Sequence, residues 1–311
     1  MNTANKVTTV GALSRAELGA RLAGAGIALR TGAFVTRVKS PIGHIADGIA
    51  LLYADYPLIE NAGFADFHIN MLQPGGLRRW FRPQVRFDHD GDAPFKPLPV
   101  DQAFPMFEWI LNWCVSSRAN RYLIIHAAVV ERDGHAVIMP APPGSGKSTL
   151  CAALVTRGWR LLSDELALIG LDDRLLVPLP RPISLKNASI EVIGKYAPGA
   201  VFSRAVSDTN KGTVAHLKAP ADSIARAFET ARPAWIVFPK YVAGAPATLA
   251  PIAPARAFMR VAENAFNYSL LGARGFDTLG EVIAGADSYD FSYSVLDEAV
   301  ALFSRLAPPA R

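Results

Sequence analysis

Residues 135–157 read His-Ala-Val-Ile-Met-Pro-Ala-Pro-Pro-Gly-Ser-Gly-Lys-Ser-Thr-Leu-Cys-Ala-Ala-Leu-Val-Thr-Arg, and this stretch decides the architecture. His135 to Met139 is a short apolar run of strand character, and Ser148 to Arg157 predicts a helix that stops at Gly158. Between them, Gly144, Ser145, Gly146, Lys147, Ser148 and Thr149 form the pattern of a phosphate-binding P-loop. Glycines let successive backbone N–H groups face one concavity that holds phosphate oxygens. Lys147 supplies a cation to the β- and γ-phosphates, and Ser148 supplies a hydroxyl to Mg2+. The helix turns its positive dipole end toward the same phosphates. The full pattern G-x-x-x-x-G-K-[ST] asks for glycine at 141, where this chain has Ala141. The strand, turn and helix context meets the motif's structural demand.

Working outward, Tyr122 to Ile125 reads as a strand that continues through His126 to Val130 and turns at Glu131–Gly134. After the helix, Trp159 to Leu162 is a strand ending at Ser163-Asp164-Glu165, and Leu166 to Ile169 is another. A turn at Asp172–Arg174 leads to a strand over Leu175–Leu179, and Ala234–Phe238 adds one more. Ala255–Phe266 and Leu296–Leu306 read as closing helices. Short, hairpin-like turns between so many strands predict an α/β fold with a mixed β-sheet.

The first hundred residues read differently. A polar tail leads to a short helix from Ser14, with Glu17 at capping-box spacing. Short apolar runs follow at Ala33–Val38, Ile45–Leu52, Phe67–Leu72 and Gln84–Phe87, several of them with the alternation of half-buried strands. Asp88–Pro99, with Gly91, Pro94, Pro97 and Pro99, reads as a linker or long loop. Phe104–Val115 predicts a core helix with Phe107, Ile110, Leu111 and Cys114 on one side; packing suits Trp109 and Trp113 better than cofactor stacking. The expected division is a smaller N-terminal α+β domain over 1–100 and a P-loop domain over 101–311.

Composition narrows the class. The chain has 311 residues, half of them hydrophobic and 19% charged, which suits a folded protein with a full core. A net charge of +5, without Lys or Arg runs, suggests no nucleic-acid partner. Two cysteines, Cys114 and Cys151, without a paired spacing suggest a reducing compartment and no zinc site. With no apolar run of spanning length and no visible signal peptide, the expectation is a soluble, cytoplasmic protein without a membrane partner.

Chemistry at a P-loop needs a second metal ligand and, for a kinase, a base. Asp164 and Glu165 follow an apolar strand and interrupt a buried run, so one can accept a hydroxyl proton while the other holds Mg2+. His126, on the strand before the loop hairpin, is a candidate phosphate contact or a hydrogen-bonded core residue. Arg181 and Lys186, in Arg-Pro-Ile-Ser-Leu-Lys, and Lys211, in Asn-Lys-Gly-Thr, are candidate phosphoryl clamps or solvated surface cations.

His126, the loop Ala141–Ser148 and the run Arg157-Gly-Trp-Arg-Leu-Leu-Ser-Asp-Glu together resemble the HPr kinase/phosphorylase family over about residues 120–240. The similarity is closer to the HPr-kinase-related kinase A group, and there it extends to Glu108-Trp-x-x-Asn-Trp113 and Lys211-Gly-Thr-Val-Ala-His-Leu217. The resemblance implies a P-loop kinase core of the HPr kinase type. It implies Asp164 as catalytic acid/base, Glu165 as Mg2+ ligand and His126 as a phosphate-site residue. It also implies ATP as donor, a small protein or peptide as acceptor, and leaves a homo-oligomer open. Trp159 and Glu165 replace a histidine and an aspartate of the family run, and the family's Glu-x-Arg-Gly-x-Gly signature is missing, so a reverse, phosphorylase activity is not implied. A kinase of small-metabolite hydroxyls and a nucleotide-binding module without transfer are the alternatives.

Overall fold

The strand through His126 runs without a break from Tyr122 to Arg132, and it organises a sheet of eight strands. Eleven residues long, it serves two antiparallel neighbours on one side. Its first half pairs with Leu166–Gly170, placing His126 opposite Leu166, and its second half pairs with Arg160–Ser163. A tight turn at Asp133 and Gly134, both with positive φ, returns the chain as the strand His135–Pro140. That strand is parallel to Arg232–Tyr241, which is parallel to Asp287–Tyr293. Thr248–Pro251 and Leu176–Val177 close the two edges in antiparallel pairing. The protein is therefore mixed α/β, with three parallel strands whose carboxyl ends, Pro140, Tyr241 and Tyr293, lie at one edge of the sheet. That edge is where open α/β sheets bind ligands.

This computed structural model describes residues 8–60, 62–76, 78–88 and 94–309. The opening tail to residue 7, and Gly91 of the expected linker, lie outside the described residues. The chain forms two compact units, residues 1–111 with 201–218, and residues 112–200 with 219–311. The sheet above belongs to the second. Its central strands are buried on both faces, so they read as near-continuous runs of Ile, Val, Leu and Ala. On one face Leu123, Ile125, Val129, Ile138 and Ile236 meet Val261, Leu279 and Val282 from the helices Pro254–Glu263 and Ala273–Gly285. The helix Lys147–Val155, buried nearly throughout, packs on Tyr122–Arg132 and against the helices Ala188–Tyr196 and Leu296–Phe303.

In the first unit, Ser14 caps the helix Arg15–Ala23 with the full capping box to Glu17 that the spacing predicts. The strands Ile27–Thr31, Phe34–Lys39, Phe67–Leu72, Gln84–Asp88 and Leu98–Pro99 pair in that order, with only the second and third parallel. One of the apolar runs is helical: Ile45–Leu52 is most of the helix Gly43–Leu52. Its buried positions Ile45, Ala46, Ile49 and Leu52 follow helical spacing; the small residues between them disguised the period. The core helix spans Ala103–Arg118, and Phe107, Ile110, Leu111 and Cys114 are buried as expected. Tyr53 donates a 2.6 Å hydrogen bond to the buried Glu108 and packs on Phe107. Among the described residues no helix is long and apolar enough to cross a membrane.

Other boundaries shift by a few residues. The strand expected over Leu175–Leu179 keeps only Leu176–Val177, because Pro178 follows and interrupts the ladder. The closing helices end early, at Glu263 and Phe303.

Candidate active site

Residues 141–146 leave the carboxyl end of His135–Pro140 and enter the helix at Lys147, one residue earlier than the sequence suggests. Gly144 and Gly146 have φ of 84° and 91°, a left-handed backbone that side chains resist. Gly146 is also confined: a Cβ there would lie 2.6 Å from the Tyr293 hydroxyl and 3.2 Å from Cβ of Tyr241. The two parallel strands brace the loop. Tyr293 donates a 3.0 Å hydrogen bond to the Gly146 carbonyl, and the Tyr241 N–H donates to the Ser145 carbonyl at 2.9 Å. The backbone of the glycine loop is thus held from below by the edge of the sheet it serves.

Lys147 is almost fully buried at the helix start. Its Nζ lies 3.0 Å from Nε2 of His126, and the same Nε2 lies 3.1 Å from Oε2 of Glu165. One imidazole nitrogen cannot donate to the carboxylate and accept from the ammonium at once, so the two contacts belong to different tautomers. Lys186 approaches the other Glu165 oxygen at 3.9 Å. Glu165 therefore sits between two ammonium groups. Burial by itself would raise its carboxyl; the His126 hydrogen bond and the charges of Lys147 and Lys186 outweigh burial and hold it well below the usual range. Burial lowers the Lys147 ammonium, against the opposing pull of Glu165 and Asp164.

Asp164 is its opposite. It follows the strand Arg160–Ser163 and is buried, with Oδ2 accepting the Ser184 N–H at 3.1 Å. Oδ1 is buried and has no hydrogen-bond partner. Burial first, then the neighbouring Glu165 charge, push its carboxyl up to about 6. Two adjacent carboxyls with values driven apart can divide labour between proton acceptor and permanent anion.

The donor set suits a hard divalent cation: an ionised Glu165 and the Ser148 hydroxyl both offer oxygen. Among the described residues no cluster of three His, Cys, Asp or Glu forms a protein-only metal site. Mg2+ is commonly held by one or two carboxylates plus substrate phosphates.

The structure brings His126, Lys147, Asp164 and Glu165 together at the loop whose glycines, Ser145, Ser148 and Thr149 the sequence singled out. Arg181 is buried in the same unit and bonds Oδ1 of Asn112. Lys211 belongs to the other unit, where its Nζ stands 5.2 Å from the centre of the Trp109 ring. There the two segments that carried the closer resemblance meet, with Phe104 also edge-on to His216 at 5.5 Å. Sequence reasoning missed Tyr241 and Tyr293. The only trace of the latter was the period-two spacing of Tyr289, Phe291 and Tyr293 in an otherwise polar stretch.

The family model described as SynChlorMet cassette protein ScmC matches residues 102–174, a segment that holds His126, Lys147, Asp164 and Glu165. No curated protein matches this chain. Among solved structures, an HPr(Ser) kinase/phosphatase from Coxiella burnetii is 13% identical, over 58% of this chain and 91% of that one, with a TM-score of 0.24. At that score the likeness decides nothing about fold or chemistry.

Proposed function

We propose that this protein is an ATP- and Mg2+-dependent kinase that transfers the γ-phosphoryl group to a hydroxyl, namely a serine of a small protein or peptide, in the cytoplasm. One observation carries the reading. A carboxyl poised near pH 6 with a bare oxygen, Asp164, stands in one electrostatic cluster with an ammonium at the start of a helix behind a glycine loop. The loop is read as a P-loop, and the resemblance to HPr kinases supplies the acceptor class.

In this mechanism Gly144–Lys147 backbone N–H groups and the helix N-terminus bind the phosphates. Lys147 exchanges His126 for phosphate oxygens and stabilises the charge that spreads over the moving group. His126, released from the ammonium, keeps its contact with Glu165 and so fixes that carboxylate. Arg181, in the same unit as the loop, remains a proposed phosphate contact. Ser148 and Glu165 would hold Mg2+, which would supply positive charge against the charge of the phosphates. Asp164 takes the proton of the acceptor hydroxyl; the acceptor oxygen forms the new bond to the γ-phosphorus as the bond to the β-phosphate oxygen breaks, leaving ADP.

The test is transfer from γ-labelled ATP into a size-fractionated lysate by wild-type and Asp164→Ala protein. Label in a protein or peptide fraction, lost in the variant, supports the proposal. Label only among small molecules makes the acceptor a metabolite, and tight ATP binding without transfer makes the protein a nucleotide-binding module.

A further inference from the structure

We propose that the ring of Tyr241 is the stacking surface for the base of the bound nucleotide, an inference that rests on the nucleotide reading above. Phosphates held by residues 144–148 leave the sugar and base to lie beside the loop, and an aromatic face is the cheapest group that can hold a base there.

Tyr241 is the last residue of the strand Arg232–Tyr241, the parallel neighbour of the strand that launches the loop. Its backbone is pinned on two sides. Its own N–H donates to Ser145 of the loop, and the next residue, Val242, donates to the Tyr293 carbonyl at 2.9 Å. Its Cβ borders Gly146, the last loop residue before the helix. Yet 53% of Tyr241 remains exposed. Tyr293, by contrast, is buried and stands edge-on to it at 6.0 Å, so one tyrosine supports the loop and the other presents its ring outward beside it. Val242 and Val295, just past the ends of the same two strands, are also exposed. A half-exposed tyrosine whose backbone is pinned beside the glycine loop, on the ligand-binding edge of the sheet, has the placement of a base platform. With only two side-chain torsions, a tyrosine loses little conformational freedom on stacking, which favours binding.

The test is calorimetric titration of full-length wild type, Tyr241→Ala and Tyr241→Phe with ATP and with inorganic tripolyphosphate, each with Mg2+. The expected result is that Tyr241→Ala weakens ATP about tenfold, the order of a base–aromatic stack. Tripolyphosphate binding should stay within about twofold in both variants, which also reports that the loop is intact, and Tyr241→Phe should bind ATP like wild type. Unchanged ATP affinity in Tyr241→Ala overturns the inference, as does equal weakening of both ligands, which would make the ring a support of the loop. Wild type that binds tripolyphosphate as tightly as ATP overturns the base platform alone. Wild type that binds neither ligand overturns the phosphate-site reading and the platform with it.

Discussion

Asp164 is the proposed base, and its environment sets two measurable pH effects. Burial and Glu165 raise its folded value to about 6, against an ordinary 3.8. A carboxyl raised on folding favours the native state while protonated, so its contribution is fully present below the ordinary value and is lost as pH rises through about 6. Asp164→Asn cannot ionise. Relative to wild type, the variant should gain stability by on the order of 1 kcal/mol between pH 5 and pH 8, read from urea denaturation at the two pH values. The same shift limits activity. A base must be ionised, so kcat/KM of the wild type should fall about tenfold per pH unit below about pH 6, where an unperturbed aspartate would hold the rate constant to near pH 4. The sequence showed Asp164 and Glu165 as an acidic pair breaking a buried run. It did not show which would be the stronger acid, because that depends on Lys147, Lys186 and His126 converging on Glu165 from three elements far apart in the chain.

At the scale of elements, the glycine loop is the part the sequence specifies most completely. Positive φ at Gly144 and Gly146 is a local requirement, and local requirements are legible. The tyrosine braces are not local: Tyr293 meets Gly146 across 147 positions, through two successive parallel pairings that no spacing reveals. Gly146→Ala tests both. A methyl group there is strained by its φ and crowds the Tyr293 hydroxyl, so the variant should lose about 1–3 kcal/mol of stability and bind Mg·ATP at least about tenfold more weakly. Thermal unfolding and titration would check the two losses separately. The helix Gly43–Leu52 shows the reverse difficulty. It lies within an apolar stretch whose helical period is blurred by Gly48 and Ala50, so the sequence shows an apolar run without its period.

For the whole molecule, nucleotide binding should appear as global stability. A ligand that binds only the folded protein stabilises it by about 2.7 kcal/mol at a hundredfold excess over Kd, a rise of several degrees in Tm. Mg·ATP should give that rise in wild type, and Lys147→Met should abolish it, as measured by differential scanning fluorimetry. The α/β class and the mixed sheet were legible in the sequence, because Leu, Ile and Val runs punctuated by tight turns repeat from Tyr122 onward. The assignment of Val201–Lys218 to the same compact unit as residues 1–111 was not legible. It depends on contacts such as Lys211 with Trp109, which pair segments about a hundred positions apart. Base catalysis by Asp164 is tested by single-turnover transfer from γ-labelled ATP to the acceptor fraction, for wild type and Asp164→Asn, with Mg·ATP affinity determined on the same samples. Both proteins should bind Mg·ATP, and the variant should transfer at least about a hundredfold more slowly. Equal transfer rates, or a wild type that holds Mg·ATP and passes its phosphate to nothing, would contradict it.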